Sequence, residues 1–150
     1  AVRRLAEIDP EGAAYYDARK RDFEKRWGVA LARWERQAAP LRGLAVVSQH
    51  KAFGYLYRWL GLREVAVLEP KPGLEPSAGH LTTVLNSLRA QPAKVVIRAE
   101  YESGRAAEFI AVITGLPVLA LPVSVADPER AGALEAWFDG VIAALLGVPR

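Results

Sequence analysis

The stretch Val46-Val47-Ser48-Gln49-His50-Lys51-Ala52-Phe53-Gly54-Tyr55 joins an apolar run to an aromatic-rich amphipathic segment through a histidine. The apolar residues Ala45-Val46-Val47 are typical of a strand buried on both faces, as in a parallel sheet covered by helices. In such a sheet the carboxyl end of a strand delivers side chains to the ligand cleft. His50 is therefore the first candidate functional residue.

Strand-like and helix-like segments alternate after Gly43, separated by short Gly or Pro punctuation. Four strand-then-helix units predict an α/β fold, a three-layer sandwich with a four-stranded parallel sheet flanked by helices. The predicted strands are 44–48, 64–68, 94–99 and 118–121, and the predicted helices are 52–60, 81–88, 105–114 and 131–146. The aromatic residues predicted to pack from these helices onto the sheet are Trp59, Phe109, Trp137 and Phe138.

One long helix is predicted before the sheet. Asp9-Pro10-Glu11 offers a capping carboxylate, a proline at the first helical position and an acid in the first turn. The pattern continues to about Gln37 and is longer than a small domain needs for itself. The chain is thus predicted to comprise a long helix region, 1–40, and an α/β lobe, 41–150. The aromatic stripe of the helix is Tyr16, Phe23, Trp27 and Trp34.

Composition narrows the class of protein. With 150 residues, 51% hydrophobic and 25% charged, the chain suits one globular domain. The net charge is +3, but bases and acids are mixed along 19–26, which predicts a solvated helix face and no nucleic-acid partner. The lack of cysteine excludes disulfides and thiolate zinc sites. A start at Ala1 inside a helical pattern predicts a processed or truncated fragment.

Three strand ends are candidate site segments: Gln49-His50, the Glu69 to Gly73 segment, and Glu100-Tyr101-Glu102. If their strands are neighbours, Glu100 and His50 meet in one cleft, where a carboxylate and an imidazole suit a metal ion or a proton. The alternatives are structural. His50 can cap the next helix, and Glu100 or Glu102 can complement a helix dipole.

The remaining polar motifs favour structural roles. His80 follows Ser77 at a predicted helix start, which favours a capping or surface role over ligation. The Glu69 to Pro76 segment is predicted to be a rigid loop at the cleft rim, with Lys71 and Glu75 solvated. The sequence has no phosphate-binding loop, no Gly-x-Ser-x-Gly and no paired histidines. We therefore expect His50 to be part of a shared site.

Several motifs together resemble one family, the solute-binding proteins that deliver zinc or manganese to ABC importers. Those motifs are Asp9-Pro10 with Tyr15-Tyr16, His50-Lys51-Ala52-Phe53-Gly54-Tyr55, Trp59-Leu60-Gly61-Leu62, Glu75-Pro76-Ser77, and Glu100 with Thr114-Gly115. In that family one long helix joins two α/β lobes, and histidines, often with a carboxylate, hold the metal between the lobes. The resemblance implies that this chain is the connecting (interlobe) helix plus the carboxyl-terminal lobe, without the amino-terminal lobe.

By the same resemblance, His50 is the metal ligand of this lobe. Many family members carry an aspartate after the fourth strand, whereas this loop reads Leu121-Pro122-Val123-Ser124-Val125-Ala126-Asp127-Pro128. Asp127 is predicted to cap a helix that begins near Pro128. Because imidazole favours zinc and carboxylates suit manganese, the expected ion is Zn²⁺ rather than Mn²⁺, with Glu100 as the reserve carboxylate.

The implied function is metal capture and delivery to the permease of an ABC importer, without catalysis, in the periplasm or another extracytoplasmic compartment. The chain would supply half of an interlobe site, so alone it is expected to bind zinc weakly or not at all.

Two other interpretations fit the residues. A small α/β enzyme would use His50 as general base with Glu100 orienting it. A non-metal interaction module would associate through the long helix, and the exposed face of Trp27 and Trp34 would then pair with a partner or form a dimer.

Overall fold

The computed structural model describes residues 1–71 and 74–149. The chain divides into two compact units, Ala1–Gln37 and Ala38–Arg150. Pro72 and Gly73, which belong to the predicted rigid loop, lie outside the described residues. Within those residues, no helix has the length and apolar character that a bilayer crossing demands.

The first unit consists of two helices, α1 (Val2–Ile8) and α2 (Ala13–Gln37). The prediction that a helix starts at Asp9-Pro10 was wrong, because a turn separates the two helices there. The Asp9 carboxylate accepts hydrogen bonds from the Gly12 N–H at 3.2 Å and the Tyr16 hydroxyl at 2.6 Å. A Cβ at Gly12 would meet this carboxylate and the Tyr16 ring, so a larger residue at this position would displace the Asp9 side chain.

The predicted aromatic stripe is present on α2. The rings of Phe23 and Trp27 stack with centroids 5.4 Å apart, and the rings of Trp27 and Trp34 meet edge to face at 5.1 Å. Spacings of four and seven residues place these side chains on one side of a helix.

The second unit is built on a four-stranded sheet. After a 3₁₀ turn at Ala39–Leu41, its strands are β1 (Ala45–Ser48), β2 (Arg63–Val67), β3 (Val95–Ala99) and β4 (Val118–Leu121). Its helices are α3 (Gly54–Leu60), α4 (Ala78–Ala90), α5 (Arg105–Thr114) and α6 (Ala133–Leu146). All pairings are parallel and the order is β2-β1-β3-β4. The predicted α/β fold with a four-stranded parallel sheet is confirmed.

Successive residues of β1 face opposite layers of helices, because side chains alternate along a strand. Val47 belongs to a core cluster with Val84 of α4 and Ile110 of α5. Ser48 faces the other layer, where its side chain contacts Tyr57 of α3. The sheet is therefore covered on both faces.

Phe109 does not pack on the sheet as predicted and is 47% exposed. The buried face of α5 is instead formed by Ala106, Ala107 and Ile110. Two alanines allow a helix to lie close to a sheet, and the helical spacing then turns Phe109 away from the core.

The prediction that Asp127 caps the last helix was also wrong. Residues 127–132 form turns, closed by hydrogen bonds from the Arg130 N–H to the Asp127 carbonyl and from the Ala133 N–H to the Arg130 carbonyl. Gly132, with φ of +77°, precedes α6. A left-handed residue at that point delays the helix beyond the reach of Asp127. Trp137 of α6 packs back on the loop after β4, donating its indole N–H to the Pro122 carbonyl at 3.1 Å.

Candidate metal centre

His50 lies at the carboxyl edge of β1, one of the two central strands of the sheet. Hydrogen bonding between strands continues one residue past β1. The Gln49 N–H donates to the Ile97 carbonyl at 2.7 Å, and the Gln49 carbonyl accepts from the Glu69 N–H at 2.8 Å. The chain then turns, with the Ala52 N–H donating to the His50 carbonyl at 2.8 Å. His50 is thus the first residue to leave the sheet, where parallel α/β folds bind ligands.

The ring of His50 has one nitrogen in need of a partner. Its Nδ1 is buried and makes no hydrogen bond within the described residues. A buried polar atom without a partner costs free energy, so such atoms in native structures call for an explanation. Capping does not supply one, because the N-cap of α3 is Phe53 and no side chain caps that helix. An imidazole nitrogen left in this condition has the chemistry of a metal ligand.

Glu100 lies at the same edge of the sheet, just beyond β3, and its N–H donates to the Leu121 carbonyl at 3.0 Å. The loop around it is held by Arg98, whose Nη1 donates to the carbonyls of Ala99, Glu100 and Glu102 at 3.0, 3.1 and 3.0 Å. The Glu102 carboxylate accepts from the Ala99 N–H at 2.6 Å. Glu102 is therefore engaged in the loop itself, whereas the Glu100 side chain is exposed.

His50 and Glu100 follow the strands β1 and β3, which are neighbours in the sheet, a condition that the sequence had left open. Across residues 1–71 and 74–149, however, no three histidine or carboxylate side chains are grouped so that they could hold a metal ion. The described part of the chain thus provides His50 and Glu100 as candidate ligands at one edge of the sheet, without a complete coordination sphere.

His80, the only other histidine in the chain, has a structural position. Its Nε2 donates to the Val67 carbonyl at 2.9 Å, which ties α4 to the end of β2. Its backbone N–H donates to the Ser77 hydroxyl at 3.2 Å, so Ser77 caps α4 in the way the sequence indicated.

A buried polar chain that the sequence did not reveal lies beneath the His50 turn. The Ser48 hydroxyl donates to the Glu64 carboxylate at 2.6 Å and lies 3.0 Å from the Tyr57 hydroxyl. Ser48 is fully buried and Tyr57 is 5% exposed. The only available signal was the alternation that turns Ser48 toward the α3 layer.

A second polar pair lies on the opposite face of the sheet. The Gln49 Nε2 donates to the Glu69 carboxylate at 2.7 Å, while the Gln49 Oε1 is buried and makes no hydrogen bond in the described part of the chain. An open cavity of about 230 Å³ adjoins the pair. Its lining residues are Gln49, Glu69, Glu75, Pro76, Leu81, Ser103, Arg105, Ala106 and Phe109.

Tyr57 should make the stability of the chain sensitive to alkaline pH. Burial, assisted by the Glu64 charge, raises the pKa of Tyr57 well above its ordinary value of 10. The unfolded chain therefore loses this proton near pH 10 while the folded chain keeps it, so stability present below pH 10 is lost as pH rises further. The expected slope is up to about 1.4 kcal/mol per pH unit.

Urea unfolding of the parent and of Tyr57→Phe between pH 8 and pH 11.5 measures this slope. The variant should lack the Tyr57 part of the alkaline decline. Tyr55→Phe, which removes the hydroxyl of a residue on the same helix that is 92% exposed, should keep this decline. If stability declined with pH equally in the unsubstituted chain and in Tyr57→Phe, the decline could not be assigned to Tyr57.

A family model and a curated relative both match this chain and agree on one family. The family model for ZnuA, described as "Zinc-uptake complex component A periplasmic", matches residues 2–145. The high-affinity zinc uptake system protein ZnuA of Bacillus subtilis is 25% identical over 107 residues, which cover 71% of this chain and 34% of that protein.

Solved structures agree with the fold. The SBP FpvC of Pseudomonas aeruginosa in complex with Ni²⁺ is 29% identical, with a TM-score of 0.75, and the match covers 97% of this chain and 56% of that one. The laminin-binding adhesin Lmb of Streptococcus agalactiae, at 23% identity, has the same fold with a TM-score of 0.75, over 96% of this chain and 56% of its own. This chain thus spans about a third of the Bacillus protein and about half of each solved chain.

These matches settle the class of protein. The family is one of substrate-binding proteins of transporters and not of enzymes, so the interpretation of the chain as a small α/β enzyme does not hold. With a family model matching nearly all of its length, the chain belongs to the ZnuA family of periplasmic zinc-uptake components.

Proposed function

We propose that this chain captures a metal ion for delivery to an ABC importer, with His50 as its principal ligand. The preferred ion is zinc rather than manganese. The observation that carries the proposal is the His50 Nδ1, which is buried and makes no hydrogen bond within the described residues, directly beyond the end of β1. Zinc is favoured over manganese because imidazole is a common zinc ligand, whereas manganese prefers a site richer in carboxylates.

The comparisons support a metal as cargo. The Bacillus subtilis relative is named for zinc uptake, and a Streptococcus pyogenes relative is named a zinc-binding protein. FpvC structures hold Ni²⁺ or Mn²⁺. We infer that the chain works in the periplasm or an equivalent extracytoplasmic space and hands its ion to the permease of the importer.

We further propose that the chain forms one side of an interlobe site. His50 and Glu100 lie beyond neighbouring strands, yet the described residues contain no group of three histidine or carboxylate side chains that could hold a metal ion. A structural zinc ion takes four ligands. The remaining ligands would come from a second lobe, and residues 1–40 would be the helix region that connects the two.

Zinc titration of the isotopically labelled chain tests this proposal. Zinc chloride should shift the ring nitrogen signals of His50 with a weak, millimolar-range response, because two ligands do not complete a zinc site. The His80 ring, whose Nε2 donates to the Val67 carbonyl, is the internal reference for non-specific imidazole binding and should respond less than His50. With only two histidines in the chain, the two rings can be assigned without ambiguity.

Glu100→Gln tests the reserve carboxylate. The substitution removes the negative charge and keeps the shape, so it should weaken the zinc response of His50 several-fold. Glu108→Gln, an exposed carboxylate on α5, is the matched control and should leave the response unchanged. Tight one-to-one binding by the monomeric chain would contradict the interlobe site, and an unresponsive His50 would contradict the role of that residue.

A further inference from the structure

We propose that the hydrogen-bonded chain Tyr57–Ser48–Glu64 positions His50 for metal binding, so that these three are positioning residues of the metal site. The inference rests on the proposed function, which supplies the role of His50. It adds a set of supporting residues on β1, α3 and β2, none of which would contact the ion.

The number of hydroxyl protons decides which group donates in the two hydrogen bonds of this chain of side chains. Ser48 has a single hydroxyl proton, and its Oγ donates that proton to the Glu64 carboxylate at 2.6 Å. The 3.0 Å contact with Tyr57 must then be donated by the tyrosine hydroxyl. The ionised Glu64 thus terminates a relay of two polarised hydrogen bonds, and a bond to a charged group is stronger than one between neutral groups.

The hydrogen bond between Ser48 and Tyr57 closes a ring of polypeptide that contains His50. Ser48 is the last residue of β1, and Tyr57 is the central residue of α3. The two residues are nine positions apart in the sequence, and His50 lies between them. A bond across the base of this segment limits how far the histidine turn can move relative to the sheet.

The backbone within the ring is also held. Gln49 is bonded to Ile97 on one side and Glu69 on the other, and the His50 carbonyl accepts from the Ala52 N–H. On the helical side, the Tyr57 N–H donates to the Phe53 carbonyl, and the two rings lie 6.3 Å apart. The hydrogen bond between the Tyr57 hydroxyl and Ser48 joins α3 to β1 through side chains.

Restraint of the His50 turn favours metal binding, because a ligand that is already held in place loses less conformational freedom when the ion binds. Side chains behind a metal ligand commonly change metal affinity 10- to 100-fold when they are substituted. Removing the Tyr57 hydroxyl should release the turn while leaving His50 itself intact.

The test uses Tyr57→Phe and Ser48→Ala, which break the relay, and Glu64→Gln, which keeps an acceptor oxygen for Ser48. Tyr55→Phe controls for loss of a tyrosine hydroxyl on α3. Val84→Ala controls for lost stability, since Val84 is buried in the opposite core layer, away from the relay. Two quantities are measured in each labelled chain: the three-bond couplings that report the χ1 rotamer of His50 without metal, and the zinc dependence of its ring nitrogen signals.

We expect one dominant His50 rotamer in the parent, Tyr55→Phe and Val84→Ala, averaged couplings in Tyr57→Phe and Ser48→Ala, and a smaller change in Glu64→Gln, which keeps the acceptor oxygen but loses the charge. Zinc affinity should fall about tenfold in Tyr57→Phe and Ser48→Ala, fall less in Glu64→Gln, and change less than about twofold in Tyr55→Phe and Val84→Ala. Parent-like couplings and affinity in Tyr57→Phe would overturn the inference, as would an equal loss of affinity in Val84→Ala.

The two proposals fail in different ways. If zinc leaves the His50 ring of the parent unchanged, the proposed function is wrong and the positioning role falls with it. If the parent responds and Tyr57→Phe responds equally, the proposed function stands and only the positioning role is wrong.

Discussion

Replacement of His50 by asparagine is expected to abolish the zinc response of the chain, a loss of more than about 100-fold in affinity, beyond the usual effect of residues behind a ligand. The candidate ligands at the carboxyl edge of the sheet are the His50 imidazole and the exposed Glu100 carboxylate, so removing the imidazole leaves a carboxylate as the candidate. A lone carboxylate suits harder ions than zinc and gives little affinity.

The measurement is a zinc titration followed by NMR of the backbone amides near the site, which remains possible when the His50 ring is gone. His80→Gln is the control, since it removes the other imidazole from the chain. It should keep the zinc response of His50 and lose some stability, because the hydrogen bond to the Val67 carbonyl is disturbed. Parent-like zinc binding by His50→Asn would show that the ion binds elsewhere.

Truncation of Ile110 to alanine is expected to cost about 2–5 kcal/mol of stability, the range for deleting a large aliphatic side chain from a packed core. Ile110 is fully buried in the cluster that contains Val47 and Val96, so the truncation leaves a cavity between α5 and the sheet. Because whole domains are stable by only about 5–15 kcal/mol, the loss should be obvious in an unfolding curve.

Val112→Ala on the same helix is the matched control. Val112 is 86% exposed, so its truncation removes little buried surface and should change stability by less than about 0.5 kcal/mol. Urea unfolding at pH 7 with circular dichroism gives both values. Similar midpoints for the two variants would mean that α5 does not pack on the sheet through Ile110.

Local patterns were sufficient for the elements of the second unit. Apolar runs such as Val95-Val96-Ile97 are short and bounded by turn residues, so their strands could be placed within a residue or so. The position of His50 also followed from sequence, because the end of a parallel strand has the same relation to the ligand edge in every such sheet.

The errors arose where two local signals competed. Asp9-Pro10-Glu11 has the chemistry of a helix start, yet the Asp9 carboxylate is used to close a turn with Gly12 and Tyr16. Asp127 has the same chemistry, but the left-handed Gly132 delays α6. Neither capping pattern contains information about which of several nearby N–H groups a carboxylate will reach.

The sequence by itself determined the fold class, the parallel sheet and the placement of His50 at its carboxyl edge, since these depend on periodicity and on the geometry common to α/β sheets. Only the tertiary structure decided what surrounds His50. The register of β1 with β2 and the docking of α3 bury its Nδ1, which has no hydrogen-bond partner among the described residues, and create the relay from Tyr57 through Ser48 to Glu64. The relay joins residues 9 and 16 positions apart, and such contacts exist only after the strands have paired and the helix has packed.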